Sequence, residues 1–554
     1  MRYIKTYIFL LVVMVCSLIH AQPLIDRTNL PLSPSEVRAI DASADLLQTV
    51  TSTLYSNPVF TYWCSHNDTT SYHRTALVYT GLAGADSKGD FVPYEGNGST
   101  DYRIGAYGEY LAQHGGTLSG RIQYSQGEHR NIGYSAMRLP ELYFPYISTD
   151  SCGGDFKYDT YYVEGNYAFS LSKWLLGVKS SFYGEQAYRL TDPRALNNTM
   201  WLRFNTGFAR DMEGHLFMLD VGYGRNKQHM QLRYWRPGQQ DRFFVCYGFG
   251  LYDTRQSAVS FGKSRMYYIN EYNSCFQYLS PKNKPLQLHF SMKYSFGHMT
   301  TEESDIYNLY ESRSHHFVPM LNVTYNPRGN WRFDLMTEAD ILHRKGYENI
   351  IEEYLIDKGN NIYDFRTIDT RQNYIRNTSD ATVALRTTKR MNHLEVHVQG
   401  GVSVNNYEER YRSNGYCVKV ASFIPHIRLG TEWNGKNDDM TIGITYSKHE
   451  VGNHKYDIKM QNQQIAHLDF QHAFAPYAYE TANFQNVVAD ITWTHRLKNL
   501  DYGINGKLCI TEGNRLDDVT YEGIPGFLSS APCISTVPDK HNERWAKITA
   551  FVKF

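Results

Sequence analysis

The stretch Trp545-Ala-Lys-Ile-Thr-Ala-Phe-Val-Lys-Phe554 decides the fold. With the two-residue repeat of an extended strand, Ala546, Ile548, Ala550, Val552 and Phe554 share one face. Lys547, Thr549 and Lys553 share the other, interrupted by Trp545 and Phe551. The same alternation continues outward through the chain. Leu286, Leu288, Phe290, Met292, Tyr294 and Phe296 oppose Gln287, His289, Ser291, Lys293 and Ser295. Trp331, Phe333, Leu335, Thr337, Ala339 and Ile341 oppose Arg332, Asp334, Met336, Glu338 and Asp340. Leu394, Val396, Val398 and Val402 oppose His393, Glu395, His397, Gln399 and Ser403. Each run covers ~10–12 residues, the length of a tilted membrane-spanning strand, where soluble sheets average ~5–6.

The connections alternate as well. Short turns are expected at 113–116, 170–173, 211–214, 281–285, 327–330, 388–392, 434–438 and 495–500. Long polar loops are expected around 127–158, 226–263, 344–376, 449–480 and 513–543. Short turns on one side and long loops on the other mark a membrane barrel, all-β and antiparallel, here of about 18 strands with a range of 14–20. Within 226–280 a long hairpin and an extra strand pair both fit. Trp174, Trp331, Trp433, Trp493, Tyr502 and Phe554 sit beside short turns on the apolar parity, where a headgroup-level girdle would place them.

Outside the barrel, taken as 72–554, the chain has two further parts. Residues 1–21 have the layout of a secretory signal, with Arg2 and Lys5 before an apolar run from Tyr7 to Ile19 and cleavage expected after Ala21. Residues 22–71 form an N-terminal periplasmic or lumen-plug segment. In it Ser33-Pro-Ser-Glu36 opens a helix near 34–53, with Val37, Ile40, Ala44, Leu47 and Val50 on one face. Mean hydropathy is −0.50, low for a helical membrane protein but suited to a barrel, in which only alternate residues need be apolar. Acids and bases balance at 56 each, which gives no reason to expect a nucleic-acid partner. Without Cys16 of the signal, seven cysteines remain, an odd number that implies no complete disulfide framework.

Chemistry is sparse. Gly133-Tyr-Ser-Ala-Met137 falls short of a nucleophile elbow, and no catalytic set can be placed, so an enzyme is not expected. No cofactor loop is present. The best polar constellation is His393, Glu395 and His397, expected to point into the lumen with His426, Arg428 and Arg386 from adjacent strands, across a loop at 405–417. These are the low-ranking metal candidates, and the competing account is a ladder of hydrogen-bonded groups lining a wet lumen. Asp334, Glu338 and Asp340 would line one strand, either as a cation-attracting wall or paired with neighbouring bases. A loop at 298–316 holds His298, Glu302, Glu303, Asp305, His315 and His316, as a surface ion site or as a solvated loop.

The closing strand with its terminal Phe554 resembles that of Gram-negative outer-membrane barrels. Taken whole, the chain resembles uncharacterised outer-membrane barrel families of Bacteroides-type bacteria. That resemblance implies residence in the outer membrane after Sec-dependent export, contact with lipid and lipopolysaccharide, and dependence on the barrel-assembly machinery. Residues 22–71 are too short for the large plug domain of TonB-dependent receptors. Two functions follow as expectations, a channel or transporter for a solute, or a surface binding or scaffold protein using Tyr-rich loops, with an outer-membrane enzyme a distant third. The second would suit an accessory to an uptake receptor or surface lipoprotein.

Overall fold

The computed structural model describes residues 53–67, 74–89, 94–111, 115–133, 135–150, 153–233, 235, 243–249, 252–253, 264–303, 308–360, 362–457, 481–498, 500–514 and 540–554. After helix α1 (Phe60–Asn67) come the strands β1 (Arg74–Gly89), β2 (Gly98–Leu111), β3 (Thr117–Ile132), β4 (Ile147–Asp150), β5 (Gly154–Leu171), β6 (Trp174–Arg189) and β7 (Arg194–Met212). They continue with β8 (His215–Arg233), β9 (Phe243–Cys246), β10 (Tyr252–Asp253), β11 (Ser264–Leu279), β12 (Leu286–Glu303), β13 (Tyr310–Tyr325) and β14 (Trp331–Asp357). The last are β15 (Ile362–Met391), β16 (Leu394–Tyr411), β17 (Tyr416–Asn434), β18 (Asp438–Asp457), β19 (Asn483–Arg496), β20 (Asp501–Asn514) and β21 (Lys540–Lys553).

Eighteen of these strands form one sheet, each antiparallel to its neighbours in sequence, and β1 pairs with β21 to close it. The closing register runs from Leu77 opposite Lys553 to Gly89 opposite His541. Phe554 completes the seam: its N–H donates to the Ala76 carbonyl at 2.8 Å. Closure leaves no unpaired edge, so every wall strand can satisfy its backbone away from water.

Side-chain alternation separates two environments. Ile104, Ile122, Leu335, Leu429 and Ile548 are exposed on the outside, while their sequence neighbours Arg103, Gln123, Asp334, Arg428 and Thr549 are buried inside. The fold is therefore a transmembrane β-barrel, apolar outside and polar within. Many charges inside are paired: Lys179 with Glu164 at 3.1 Å, Arg203 with Glu271 at 3.2 Å, and Arg428 bidentate with Asp490 at 2.6 and 2.9 Å. Trp174, Trp331, Tyr502 and Phe554 are exposed near the short turns, and Arg210 and Lys389 lie over the two indoles.

Three expected loops are corrected. Residues 344–376 belong mostly to β14 and β15, which pair up to Asp357 and Ile362, with a turn beginning at 358–360. Residues 298–316 are largely the facing ends of β12 and β13. The 405–417 loop shrinks to a turn at 412–415. Within 226–280 the chain makes a long connection rather than another pair of wall strands, with β9 and β10 joining β4 in a separate three-stranded sheet. All but the last residue of the helix expected near 34–53 lies outside the described residues, as do Cys152 and Cys533; among the described residues Cys64, Cys246, Cys275, Cys417 and Cys509 form no disulfide.

Candidate functional site

The long-loop end of the barrel is filled by its own connections. Residues 135–150 leave β3, turn inward and form β4, which pairs with β9 from the β8–β11 connection. Met137, Tyr143, Tyr146 and Ile147 are fully buried against Phe156, Met230, Tyr267 and Tyr310 of the wall. This apolar plug is tied down by polar contacts around the wall. Arg138 donates to Glu185 (Nε–Oε1 2.9 Å), with both side chains about 3–4% exposed, and its guanidinium lies 4.1 Å from the Tyr158 ring centroid. Asn197 donates to the Ala136 carbonyl at 3.0 Å, Tyr143 to Asn226 at 2.9 Å, and Arg189 to the Ser135 carbonyl at 3.3 Å. Ser148 and the Tyr267 hydroxyl share a bond of 2.9 Å. Cys246, on β9 opposite Ile147, is 2% exposed, and burial pushes its thiol up to about 12.

On the far side of this plug, two arginines face the loop. Arg344 of β14 and Arg376 of β15 are direct cross-strand neighbours. Arg344 donates to the carbonyls of Glu141 (3.2 Å) and Phe144 (3.0 Å). Arg376 donates to the Glu141 carboxylate at 3.0 Å and lies over the rings of Phe144 and Tyr407. Beside them Glu409 accepts from both Tyr374 and Tyr407, and Gly248 of the second loop packs on the Tyr374 ring.

The short-turn end is occupied by residues 53–67. Val59, Phe60 and Trp63 bury against Ala168, Ala209, Leu216 and Met218, all on inward positions. Trp63 donates its indole N–H to Asp211 at 3.1 Å, Gln277 donates to the Thr53 carbonyl at 2.8 Å, and Asn166 to the Pro58 carbonyl at 3.1 Å. Close approach depends on two glycines. A Cβ on Gly177 would lie 2.9 Å from Pro58, and one on Gly207 would lie 2.7 Å from the Asn57 side chain.

The histidine constellation is not assembled as expected. His393 is exposed in the Asn392–His393 turn and not on the lumen face, because the hairpin bends one residue later than the alternation suggested. Glu395 pairs with Arg390 at 2.9 Å. His397 and His426 are buried inside, each over a glycine of an adjacent strand, Gly430 and Gly401. Arg386 pairs with Glu432 at 3.4 Å, so with Arg428–Asp490 the region forms a ladder of ion pairs. Among the described residues no group of three His, Cys, Asp or Glu side chains is placed to share an ion. Asp334 bonds with Arg332 and Thr324, and Asp340 with His316 at 2.6 Å, so these carboxylates are paired.

Residues 67–521 match the model of a family of unknown function, DUF6850. The chain belongs to that family. No curated protein sequence matches this DUF6850 chain. Among solved structures it is similar to the copper transporter OprC, with TM-score 0.39, 10% identity and coverage of 86% of this chain and 80% of that one. It is also similar to the FrpB iron transporter from Neisseria meningitidis (TM-score 0.38, 7% identity, 87% and 82% covered). A third is a mutant of the ferric enterobactin receptor PfeA from Pseudomonas aeruginosa (0.36, 8%, 86% and 80%).

Sequence reasoning missed the Arg344–Arg376 pair and the inward fold of 135–150 altogether. One signal was available: Met137, Leu139, Leu142, Phe144 and Ile147 are dense apolar residues for a segment expected to be a solvated loop.

Proposed function

We propose that this DUF6850 chain is an outer-membrane barrel that passes a solute through a lumen held shut at rest. The observation carrying this reading is the mouth plug. Its side chains are buried as deeply as a protein core, yet it is fixed to the wall by a small set of side-chain bonds that can be exchanged. A barrel of this strand number has room for an aqueous path, and its interior is polar and charged. The N-terminal segment 53–67 adds a second closure on the short-turn side. The signal at 1–21 and the assembly machinery would bring the chain to the outer membrane. There, an outward row of directly paired positions, Arg225, Asn270, His298, Arg313 and Lys345, would meet anionic lipid headgroups.

Planar-bilayer recording tests the reading. The intact protein is expected to show little steady conductance, and deletion of residues 135–150 to produce a persistent open level. A closed trace from the deletion variant, once shown to be folded, would refute it.

The surface-binding reading has one observation in its favour. Beyond the last wall pairings, Tyr310 with Glu348 and Tyr374 with Tyr411, the β14–β15 hairpin continues as a two-stranded ribbon in which residues 349–357 pair with 362–372. At the usual strand rise it stands about 30 Å beyond its neighbours. Ile356, Ile362 and Ile368 are exposed on it.

A further inference from the structure

The Arg344–Arg376 pair poses an electrostatic problem. Like charges directly opposite on adjacent strands repel each other, and two guanidiniums packed beneath a loop need an anion nearby. In this structure the carboxylate bonded to the pair comes from the plug itself: Glu141, whose side chain remains 43% exposed. Arg344 is held by the Glu141 and Phe144 carbonyls, dipoles rather than a full charge. Among the described residues no carboxylate lies within ion-pair distance of Arg344. Segment 141–144 therefore presents one carboxylate and two carbonyl oxygens to a pair of planar five-donor groups. That is the oxygen pattern an acidic solute would present. The buried Glu409 adds a second negative charge beside Arg376, but its oxygens accept from Tyr374 and Tyr407, and the carboxylate within ion-pair distance of Arg376 is that of Glu141.

The surroundings fit a ring-bearing ligand. Phe144 and Tyr407 flank the Arg376 guanidinium at 5.4 and 5.1 Å, and Tyr94 from the β1–β2 connection lies within electrostatic reach of both Glu141 and Arg376. Aromatic faces beside paired guanidiniums can stack on a planar or sugar ring while its acid group is held by the fork.

We infer that Arg344 and Arg376 form a recognition site for the oxyanion group of an acidic, carbohydrate-sized solute, and that Glu141 occupies this site as an internal surrogate until the solute displaces it. The inference rests on the gated-transport reading and names its substrate class. An oxyanion engaging both guanidiniums takes the place of the Glu141 carboxylate on Arg376 and of the Glu141 and Phe144 carbonyls on Arg344, so arrival of the ligand loosens one anchor of the mouth plug. Recognition and opening then share the same atoms. A neutral sugar lacks the charge to compete and leaves the plug in place.

Calorimetric binding to the full-length detergent-purified barrel tests this without recourse to conductance, so it can fail while the transport reading stands. The probes are galacturonate, inorganic phosphate and galactose. Wild type is expected to bind galacturonate weakly and galactose not at all. Glu141→Gln removes the competing charge at nearly constant shape and is expected to tighten galacturonate by about tenfold. Adding Arg344→Gln and Arg376→Gln to that variant is expected to abolish binding. Tighter phosphate binding in Glu141→Gln would support the site as one for oxyanions in general. Retained heat-modifiable mobility on gels identifies the folded variants, and Glu141→Ala serves if Glu141→Gln does not fold. Galacturonate affinity within twofold of wild type in the folded Glu141 variant overturns the inference. So does undiminished binding after loss of both arginines, or equal tightening toward galactose.

Discussion

Arg138→Ala should open the mouth plug by a predictable amount. The Arg138 guanidinium is bonded to Glu185 through two nitrogens, reaches the Tyr183 hydroxyl at 3.5 Å and covers the Tyr158 ring. Both charged side chains are nearly inaccessible, 4% and 3% exposed, so solvent screening does not dilute the pair. Removing one partner strands the Glu185 carboxylate, and breaking such a buried pair costs about 3–5 kcal/mol. At about 1.4 kcal/mol per tenfold, the open fraction of the plug should rise by about 10²- to 4 × 10³-fold. Cys246 reports that fraction directly, because its thiol is buried on β9 within the plug sheet and reacts only when the sheet lifts. With the other cysteines replaced by serine, maleimide labelling of Cys246 should be slow in wild type and faster by that factor in Arg138→Ala. Adding Glu185→Gln should recover part of the difference, since no buried charge is then left unpaired. Equal labelling rates in wild type and Arg138→Ala would refute the claim that this ion pair holds the plug.

Other consequences follow from the two faces of the wall. Gly207→Leu places a side chain where Asn57 and Pro58 now sit, an overpacking cost of about 1–3 kcal/mol. Chymotrypsin should then cut faster at Phe60, Tyr62 or Trp63, and an unchanged digestion rate would show that segment 53–67 is not seated on that glycine. Leu429→Arg puts a charge on the outward belt, where Leu429 is 55% exposed, and should cost about 2–4 kcal/mol in urea unfolding from lipid vesicles. A loss below about 0.5 kcal/mol, the scatter of neutral surface changes, would place that position in water.

The barrel was legible because its wall repeats every two residues. In the closing strand, Ile548 and Thr549 fall on opposite faces as read, and Phe554 seals the seam with β1. Alternation fails where the wall bends. Register shifts at Gly346/Tyr347, Ile350/Ile351 and Leu355/Asp357 each change the phase of β14 against β15, so a charged segment with broken parity resembled a loop. His393 was misplaced for a smaller reason: one residue at the end of a hairpin separates a lumen position from a turn. The mouth site was illegible in principle. Glu141 lies 235 residues from Arg376, and Arg344 meets Arg376 only through the register of the β14–β15 hairpin. Periodicity reveals which face a residue takes but not which distant loop returns to that face.

The most direct test of the central claim is a spin-label scan along β14 in lipid vesicles. Labels at 332–341, one position at a time, are exposed in turn to oxygen, which enriches in acyl chains, and to a water-soluble nickel chelate. The account predicts a two-residue period, with oxygen access high at Phe333, Leu335 and Ile341 and low at Arg332, Asp334 and Met336. Uniform access at neighbouring positions, or maxima at the charged ones, would contradict a barrel with its apolar face toward lipid.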